Sequence, residues 1–266
     1  MKQLWFFGLA QAKACLFPVV IFLTLAITKL ADIPFIPRYD FILLVCLLTQ
    51  VVMIISKLET IDELKVICVF HLIGLALEIY KVHMGSWSYP EEAITKIFGV
   101  PLYSGFMYAS VASYMCQAWK RLDLRLTNWP PTWTVVILSG LIYFNFYTNH
   151  YLYDIRWLLK VATLLLFFRT FVFFTVNHRT YSMPLSFSFV LIGFFIWIAE
   201  NIATFFGAWQ YPNQEHQWEL VKIGKISSWL LLVIVSFLIV AMLKHLKERR
   251  LQMKICKEEQ MLTLNK

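Results

Sequence analysis

The chain has 266 residues, of which 59% are apolar, 17% are aromatic and 15% are charged. Soluble domains carry about 25% charged residues, so this composition excludes an ordinary soluble domain and indicates an integral membrane protein. The formal charge is +8, but the basic residues lie in short stretches beside apolar segments and in the C-terminal tail, which argues against a nucleic-acid-binding protein.

Eight apolar segments are long enough, or nearly so, to cross about 30 Å of hydrocarbon. Each must be helical, because an irregular backbone cannot satisfy its hydrogen bonds in lipid. The sequence therefore predicts an all-α integral membrane fold of about eight transmembrane helices, near 14–29, 41–56, 65–84, 101–119, 132–148, 158–177, 185–206 and 227–243.

The orientation of these helices is predicted from the positions of lysine and arginine. The weakly basic start has no convincing cleavage pattern after it, so the first apolar segment is interpreted as a retained span. Most of the 24 basic residues fall on the side that holds both ends of the chain, including the basic tail 244–266. The excess of basic residues predicts that both termini are cytoplasmic.

One pattern, E-x6-G-x-W-x-Y-P, occurs twice in the chain, 122 residues apart. Both glutamates lie inside predicted spans, where an ionisable side chain is costly and is a functional candidate. The first copy comprises Glu78, Gly85, Trp87, Tyr89 and Pro90, and the second comprises Glu200, Gly207, Trp209, Tyr211 and Pro212.

The repeated motif predicts a duplicated protein with one carboxyl group from each half. Residues 1–125 form the first four-helix half and residues 126–243 the second, followed by the basic tail. The dipeptide Tyr39-Asp40 is echoed by Tyr153-Asp154. Four spans in each half give a parallel repeat about an axis along the membrane normal, with both motifs ending at the outer face.

Each motif position has a physical interpretation. Seven residues of helix place each glutamate about 10 Å below its glycine. Trp and Tyr favour the headgroup region, Pro ends or redirects the helix, and Gly allows a close helix crossing. The G-x-W-x-Y-P part is also explained as an interfacial helix terminator used twice. Because such an anchor does not require a carboxyl group, Glu78 and Glu200 are the predicted catalytic residues.

Other polar residues of the spans are candidate supporting residues. Lys81 lies one turn after Glu78, and Arg169 is a candidate counter-ion within the sixth span. Asn201 and Thr204 accompany Glu200. His71 lies two turns before Glu78, but the Glu-x-x-His spacing of di-iron bundles is missing, so we interpret it as a packing histidine and predict no metal.

Several runs of the sequence resemble a known family. LIGLALEIYKVHMGSWSYP, FGVPLYSGFMYASVASY, FFIWIAENIATFFGAWQYP and GKISSWLLLVIVSF resemble the YoaT-like family of bacterial multi-pass proteins, whose function is unassigned. That resemblance implies a place in the bacterial cytoplasmic membrane. A weaker resemblance, a membrane glutamate followed by Gly, an aromatic residue and Tyr, is similar to carotenoid hydratases and membrane lycopene cyclases, which act on polyenes by acid chemistry.

The leading hypothesis is acid–base chemistry on an isoprenoid or another apolar lipid, with no cofactor. Burial disfavours the charged form of a carboxyl group, so one glutamate would hold a proton for a double bond while the other, ionised, orients water. The predicted substrate-binding residues are aromatic, with ring faces that shield a developing cation: Trp87, Tyr89, Trp197, Trp209 and Tyr211.

Two other functions remain open. A proton-coupled carrier would use the paired carboxyl groups to load and release protons as the two halves move. A non-catalytic scaffold would use its basic tail to bind anionic membrane lipids or a partner. Nucleotide-binding, serine-hydrolase and zinc-protease motifs are absent from the sequence.

Overall fold

A computed structural model of the protein describes residues 2–31, 33–149, 151–223, 232–242 and 244, which are mostly helical. The helices are α1 (Lys2–Ala14), α2 (Leu16–Leu30), α3 (Arg38–Ile55), α4 (Ile61–His83), α5 (Tyr103–Arg121), α6 (Thr132–Thr148), α7 (Arg156–Phe167), α8 (Leu185–Phe205) and α9 (Leu232–Met242). The strands are β1 (Lys96–Ile97), β2 (Val100–Pro101), β3 (Arg125–Thr127), β4 (Phe171–Val176) and β5 (Arg179–Pro184). The basic tail lies outside the described residues except Lys244.

The starts of the long helices follow local sequence signals. α4 begins with a capping box, in which the Thr60 hydroxyl accepts from the Glu63 amide and the Glu63 carboxyl accepts from the Thr60 amide. Prolines stand directly before α3, α6 and α8. A proline lacks an N–H, which costs nothing there because the first N–H groups of a helix have no intrahelical acceptor.

Among the described residues, α3, α4 and α8 are long and apolar enough to cross a membrane. The pair α1 and α2, which is bent by 70°, adds a fourth span if it is counted as one. The eight predicted spans are therefore not confirmed. Length or polarity is the reason: α6 has 17 residues, α7 has 12, and α5 has three Ser and three Tyr among its 19 residues.

The predicted span at 158–177 is wrong in its second part. α7 ends at Phe167, and β4 then pairs with β3 and β5 in an antiparallel sheet. Asn177 and His178 join β4 to β5 with φ angles of 45° and 61°, the conformation of a type I′ hairpin turn. The run Phe171–Val176 is apolar and short, and hydropathy alone does not distinguish such a strand from the end of a span.

α4 and α5 cross closely at two glycines. A Cβ on Gly74 would lie 2.5 Å from the Tyr108 ring, and one on Gly105 would lie 2.7 Å from the His71 ring. Only glycine permits this approach, because a methyl group would overlap the facing side chain. The crossing brings Tyr108 of α5 against Glu78 of α4.

Two buried apolar clusters hold the helices together. The first is built mainly on α2 to α5 but also contains Trp209 and Tyr211 of the second motif. The second is built on α5 to α9 with β4. Helix α5 contributes to both clusters, and the aromatic residues of the second motif pack into the first. The echoed dipeptides are not equivalent, because Tyr39 is fully buried in α3 whereas Tyr153 is 94% exposed before α7.

Candidate functional site

The two copies of the motif adopt the same backbone. After α4 and α8 end, Gly85 and Gly207 have φ angles of 64° and 70°, a left-handed conformation that glycine adopts without strain. The Ser86 amide donates to the Lys81 carbonyl, and the Ala208 amide donates to the Ala203 carbonyl. Both glycines therefore terminate their helices in Schellman turns, and neither creates the helix crossing that the sequence predicted.

The two copies also meet each other. The Ser88 amide donates to the Gln210 carbonyl at 2.9 Å, and the Gln210 amide returns the bond to the Ser88 carbonyl at 2.9 Å. Ser88 and Gln210 occupy the same position in their respective motifs. This antiparallel bridge therefore relates the two copies locally by a two-fold axis. It also brings the Trp87 ring edge-on to the Tyr211 ring, with 6.0 Å between the centroids.

Glu78 is buried and receives three hydrogen bonds from uncharged donors. Trp87 Nε1 donates to Oε2 at 2.6 Å, and the Tyr89 hydroxyl donates to the same oxygen at 2.7 Å. The Tyr108 hydroxyl donates to Oε1 at 2.7 Å. Two of the donors come from the motif itself, so the turn at Gly85 folds the chain back onto the glutamate seven residues earlier.

Glu200 has the matching arrangement in the second copy, where its Oε1 accepts a hydrogen bond from the Tyr211 hydroxyl. This pair corresponds to Glu78 and Tyr89. Burial raises the pKa of Tyr211 well above its ordinary value, and the charge of Glu200 adds to that shift. Burial followed by the charge of Glu78 does the same for the pKa of Tyr89. Both phenols consequently remain protonated donors at neutral pH.

A cavity of about 210 Å³ opens beside Glu78. Its walls include both motifs, because Trp87 and Tyr89 of the first copy and Trp209 and Tyr211 of the second all line it. The complete lining among the described residues is Glu78, Lys81, Ser86, Trp87, Tyr89, Met107, Tyr108, Phe146, Asn149, Arg156, Trp209, Tyr211 and Leu232. The Glu200 carboxyl does not line the cavity, but it bonds to Tyr211, which does.

The cavity contains residues that the sequence interpretation missed. Tyr108 carries no motif signal, and only the α4–α5 crossing places its hydroxyl on Glu78. Arg156 begins α7 and bonds to Asp154, with 2.5 Å between Arg156 Nη2 and Asp154 Oδ2. Lys81, which was predicted, lies in this cavity and donates to Asn149 Oδ1 at 3.3 Å.

The prediction that Arg169 is a counter-ion of the site is wrong. It is exposed in the turn after α7, whereas the cavity residue Arg156 is at the other end of that 12-residue helix. A 12-residue helix is about 18 Å long, too far for the guanidinium to pair with Glu78. His71 packs against Phe106 with 4.5 Å between the ring centroids. Among the described residues no group of three or more His, Cys, Asp or Glu could hold a metal ion.

The predicted residues Trp197, Asn201 and Thr204 do not line the cavity. They bind the segment that contains Trp218 and Val221 to α8. Trp197 Nε1 donates to the Val221 carbonyl, and the Val221 amide donates to Asn201 Oδ1 at 2.8 Å. Trp218 Nε1 donates to the Thr204 hydroxyl at 3.2 Å. These bonds hold the segment after the second motif beside Glu200, which gives Trp197, Asn201 and Thr204 a positioning role.

Comparison with known proteins identifies relatives without an assigned activity. Residues 3–237 match the family described as protein of unknown function DUF817. The chain is 64% identical, over 249 residues and 94% of each chain, to the uncharacterized protein YoaT of Bacillus subtilis (strain 168). This confirms the resemblance to the YoaT-like family, whereas the resemblance to carotenoid hydratases and lycopene cyclases has no support in these comparisons. No solved structure matches the chain.

Proposed function

The chain belongs to the DUF817 family, and from its buried carboxyl site we propose that it carries out acid–base chemistry on an apolar membrane lipid, such as an isoprenoid. The observation that supports this proposal is the setting of Glu78. Its carboxyl group is buried, held by three uncharged donors, and borders a cavity with apolar and aromatic walls.

The proposal includes a place in the bacterial cytoplasmic membrane. The apolar helices α3, α4 and α8 support it, and so do the many large apolar side chains exposed on α1, α3 and α7, among them Trp5, Val52 and Trp157. We propose eight membrane-crossing segments in two similar halves, with the termini in the cytoplasm and the motifs at the outer side.

The proposed reaction is the addition of water to a carbon–carbon double bond. Glu78 donates its proton to one carbon, and the cation that forms on the other carbon is captured by water. The proton lost by that water returns to the carboxylate, so atoms and charge balance. The faces of Trp87 and Trp209 would stabilise the cation, and Tyr89 and Tyr108 would hold Glu78 in both of its protonation states.

The two glutamates have different roles in this proposal. Glu78 borders the cavity and is the proton donor. Glu200 is a positioning residue, because it reaches the cavity through the hydroxyl of Tyr211. Tyr211 in turn meets Trp87, which donates to Glu78, so a change at Glu200 would be transmitted to Glu78 along this chain of contacts.

The test is a comparison of lipid extracts. A deletion strain would be complemented with the wild type, Glu78→Gln, Glu200→Gln or the exposed control Glu92→Gln, with the amount of folded protein measured in each. The wild type and Glu92→Gln should restore the same lipids, Glu78→Gln should match the deletion, and Glu200→Gln should restore them partly. Lipid extracts that do not differ between deletion and wild type would rule the enzyme out. Proton-driven flux in vesicles would then favour the carrier.

A further inference from the structure

Helix α1 turns large apolar side chains away from the protein. Leu4, Trp5 and Leu9 are 74%, 71% and 41% exposed, and they lie on one face of the helix. Gln11 turns inward, where its side-chain carbonyl accepts a hydrogen bond from the Tyr114 hydroxyl at 2.9 Å. A helix that borders water usually has the reverse arrangement, with its apolar face inward and its polar residues outside. A contiguous exposed apolar face marks a surface that binds lipid or another protein.

The inner side of α1 is fixed by packing. The Phe7 ring contacts the Phe174 ring of β4, with 5.5 Å between the centroids, and Ala14 is 1% exposed. Together with the bond to Tyr114, these contacts hold α1 against α5 and β4. The helix therefore cannot rotate to bury its apolar face, and that face keeps its outward direction.

The exposed face of α1 continues along α2. The two helices are separated only by Cys15 and are bent by 70°. In the proposed membrane placement α2 crosses the bilayer, so its exposed side contacts lipid. Because of the bend, α1 then lies closer to the membrane plane than to the membrane normal. Exposed residues follow one another at intervals of three or four residues through both helices: Leu9, Ala12, Leu16, Val19, Leu23 and Ile27.

Two lysines restrict the depth at which α1 can lie. Lys2 and Lys13 are both exposed. Eleven residues are close to three helical turns, so the two side chains project from the same side of the helix. If α1 crossed the membrane, one lysine would lie about 16 Å deeper than the other, where a charged group is costly. A helix parallel to the membrane surface keeps both ammonium groups at the level of the phosphate groups.

We propose that α1 lies in the cytoplasmic surface of the membrane and binds anionic phospholipid there. Lys2 and Lys13 contact the phosphate groups, while Leu4, Trp5 and Leu9 enter the upper part of the acyl region. Trp5 suits this depth, because its ring is apolar and its N–H is polar. This inference rests on the membrane placement in the proposed function and not on the proposed lipid chemistry.

Spin labels measure the depth of α1 directly. The full chain, with its five native cysteines replaced by alanine, would carry one label at a time at Leu4→Cys, Gly8→Cys or Ala12→Cys. A Cβ at Gly8 meets no atom within 4 Å, so a label fits there. In vesicles of equal parts phosphatidylcholine and phosphatidylglycerol, collisions with oxygen and with a water-soluble nickel complex give the depth. The three labels should lie at the same depth, just below the phosphate groups.

The matched control is the exposed face of α3, a helix long enough to cross the membrane. Labels at Leu48→Cys, Val52→Cys and Ser56→Cys have the same spacing, and their depth should decrease by about 12 Å toward Ser56. A similar gradient along α1 would show a crossing helix and overturn the proposal. Labels on α1 that only the nickel complex reaches, or that neither reagent reaches, would also overturn it, because water or protein would then cover the face.

Hydrogen exchange of the chain with its native cysteines tests the two lysines. With phosphatidylglycerol in the vesicles, the α1 amides should exchange up to about 30-fold more slowly than in pure phosphatidylcholine, the effect of two lysines at an anionic surface. Lys2→Gln combined with Lys13→Gln should remove this difference. The control combines Lys57→Gln with Lys65→Gln, two exposed lysines outside α1, and should retain it. Equal exchange in both lipids, or a difference that survives the first double substitution, contradicts the proposal.

Failure of this inference and failure of the proposed function have different signatures. A graded α1 series beside a graded α3 series overturns only the inference, because the membrane placement then stands. A uniform α3 series overturns the membrane placement and this inference with it. Lipid extracts that do not differ between deletion and wild type remove the lipid chemistry, and a uniform α1 series would still support the binding of α1 to the membrane surface.

Discussion

The two copies of the motif share a backbone but differ in their surroundings. At Gly85 a Cβ would meet no atom within 4 Å. At Gly207 it would meet Arg38 at 3.4 Å, Lys29 at 3.6 Å and Glu91 at 3.8 Å. The first copy therefore borders open space and the second is enclosed by charged side chains. The two glycine turns therefore differ in packing, although aromatic residues from both copies line the cavity.

Arg38 explains why the second copy is enclosed. Its guanidinium donates to the carbonyl oxygens of Phe206 and Gly207 and pairs with Glu91 at 2.6 Å. These bonds tie the start of α3 to the end of α8. The same backbone turn is therefore compatible with two different surroundings, which the neighbouring side chains determine.

The largest expected difference between the copies comes from removing each carboxyl group. Glu78→Ala leaves Trp87, Tyr89 and Tyr108 without their acceptor, and buried donors without a partner cost about 1–3 kcal/mol each, so a loss of at least about 3 kcal/mol is expected. Glu200→Ala removes the acceptor of Tyr211, and that bond accounts for about 1–3 kcal/mol, less than the three bonds of Glu78 together.

Denaturant unfolding in one detergent would measure both losses, and Glu78→Gln, which keeps an acceptor oxygen, should lose less than Glu78→Ala. Equal losses for the two alanine variants would contradict the unequal roles of the glutamates.

The second expected difference concerns the two arginines that begin α3 and α7. Arg38→Met breaks a largely buried ion pair and should lower the free energy of unfolding by about 3 kcal/mol. Arg156→Met breaks a pair whose side chains are 35% and 37% exposed, so about 0–1 kcal/mol is expected. Denaturant unfolding measures both losses. A larger loss for Arg156→Met than for Arg38→Met would contradict the tighter packing of the second copy.

The repeated motif identified from sequence several residues that meet at the site, but not what they do there. The sequence predicted a helix crossing at each glycine and an interfacial place for Trp and Tyr, whereas Gly85 and Gly207 form turns and Tyr89 and Tyr211 donate to the glutamates. Tyr108 and Arg156 could not be predicted, because α5 and α7 reach the cavity only through packing. The opposite error, at Arg169, arose because an apolar strand and an apolar helix have similar hydropathy.

A third comparison replaces each turn glycine with alanine. A left-handed backbone costs an L-residue roughly 1–2 kcal/mol, so Gly85→Ala and Gly207→Ala should each destabilise the protein by about that amount. The methyl group of Gly207→Ala would lie 3.4 Å from Arg38, an ordinary van der Waals contact, so the two variants should lose similar amounts. Thermal unfolding of both variants measures this. A neutral Gly85→Ala would show that the first turn is not held in the left-handed conformation.

The smallest expected effect is a dependence on pH at the Asp154–Arg156 pair beside the cavity. Hydrogen bonds from Arg156 lower the pKa of Asp154 from 3.8 to about 2. Because the folded value lies below the unfolded one, the Asp154–Arg156 pair stabilises the protein above pH 4, and that contribution disappears as the pH falls from about 4 to about 2. Solvent screens this half-exposed pair, so the contribution stays below about 1 kcal/mol.

The melting temperatures of the wild type and Asp154→Asn should differ by a constant amount above pH 4 and converge toward pH 2. A difference that stays constant to the lowest pH would mean that Asp154 does not titrate in this range and would contradict the prediction.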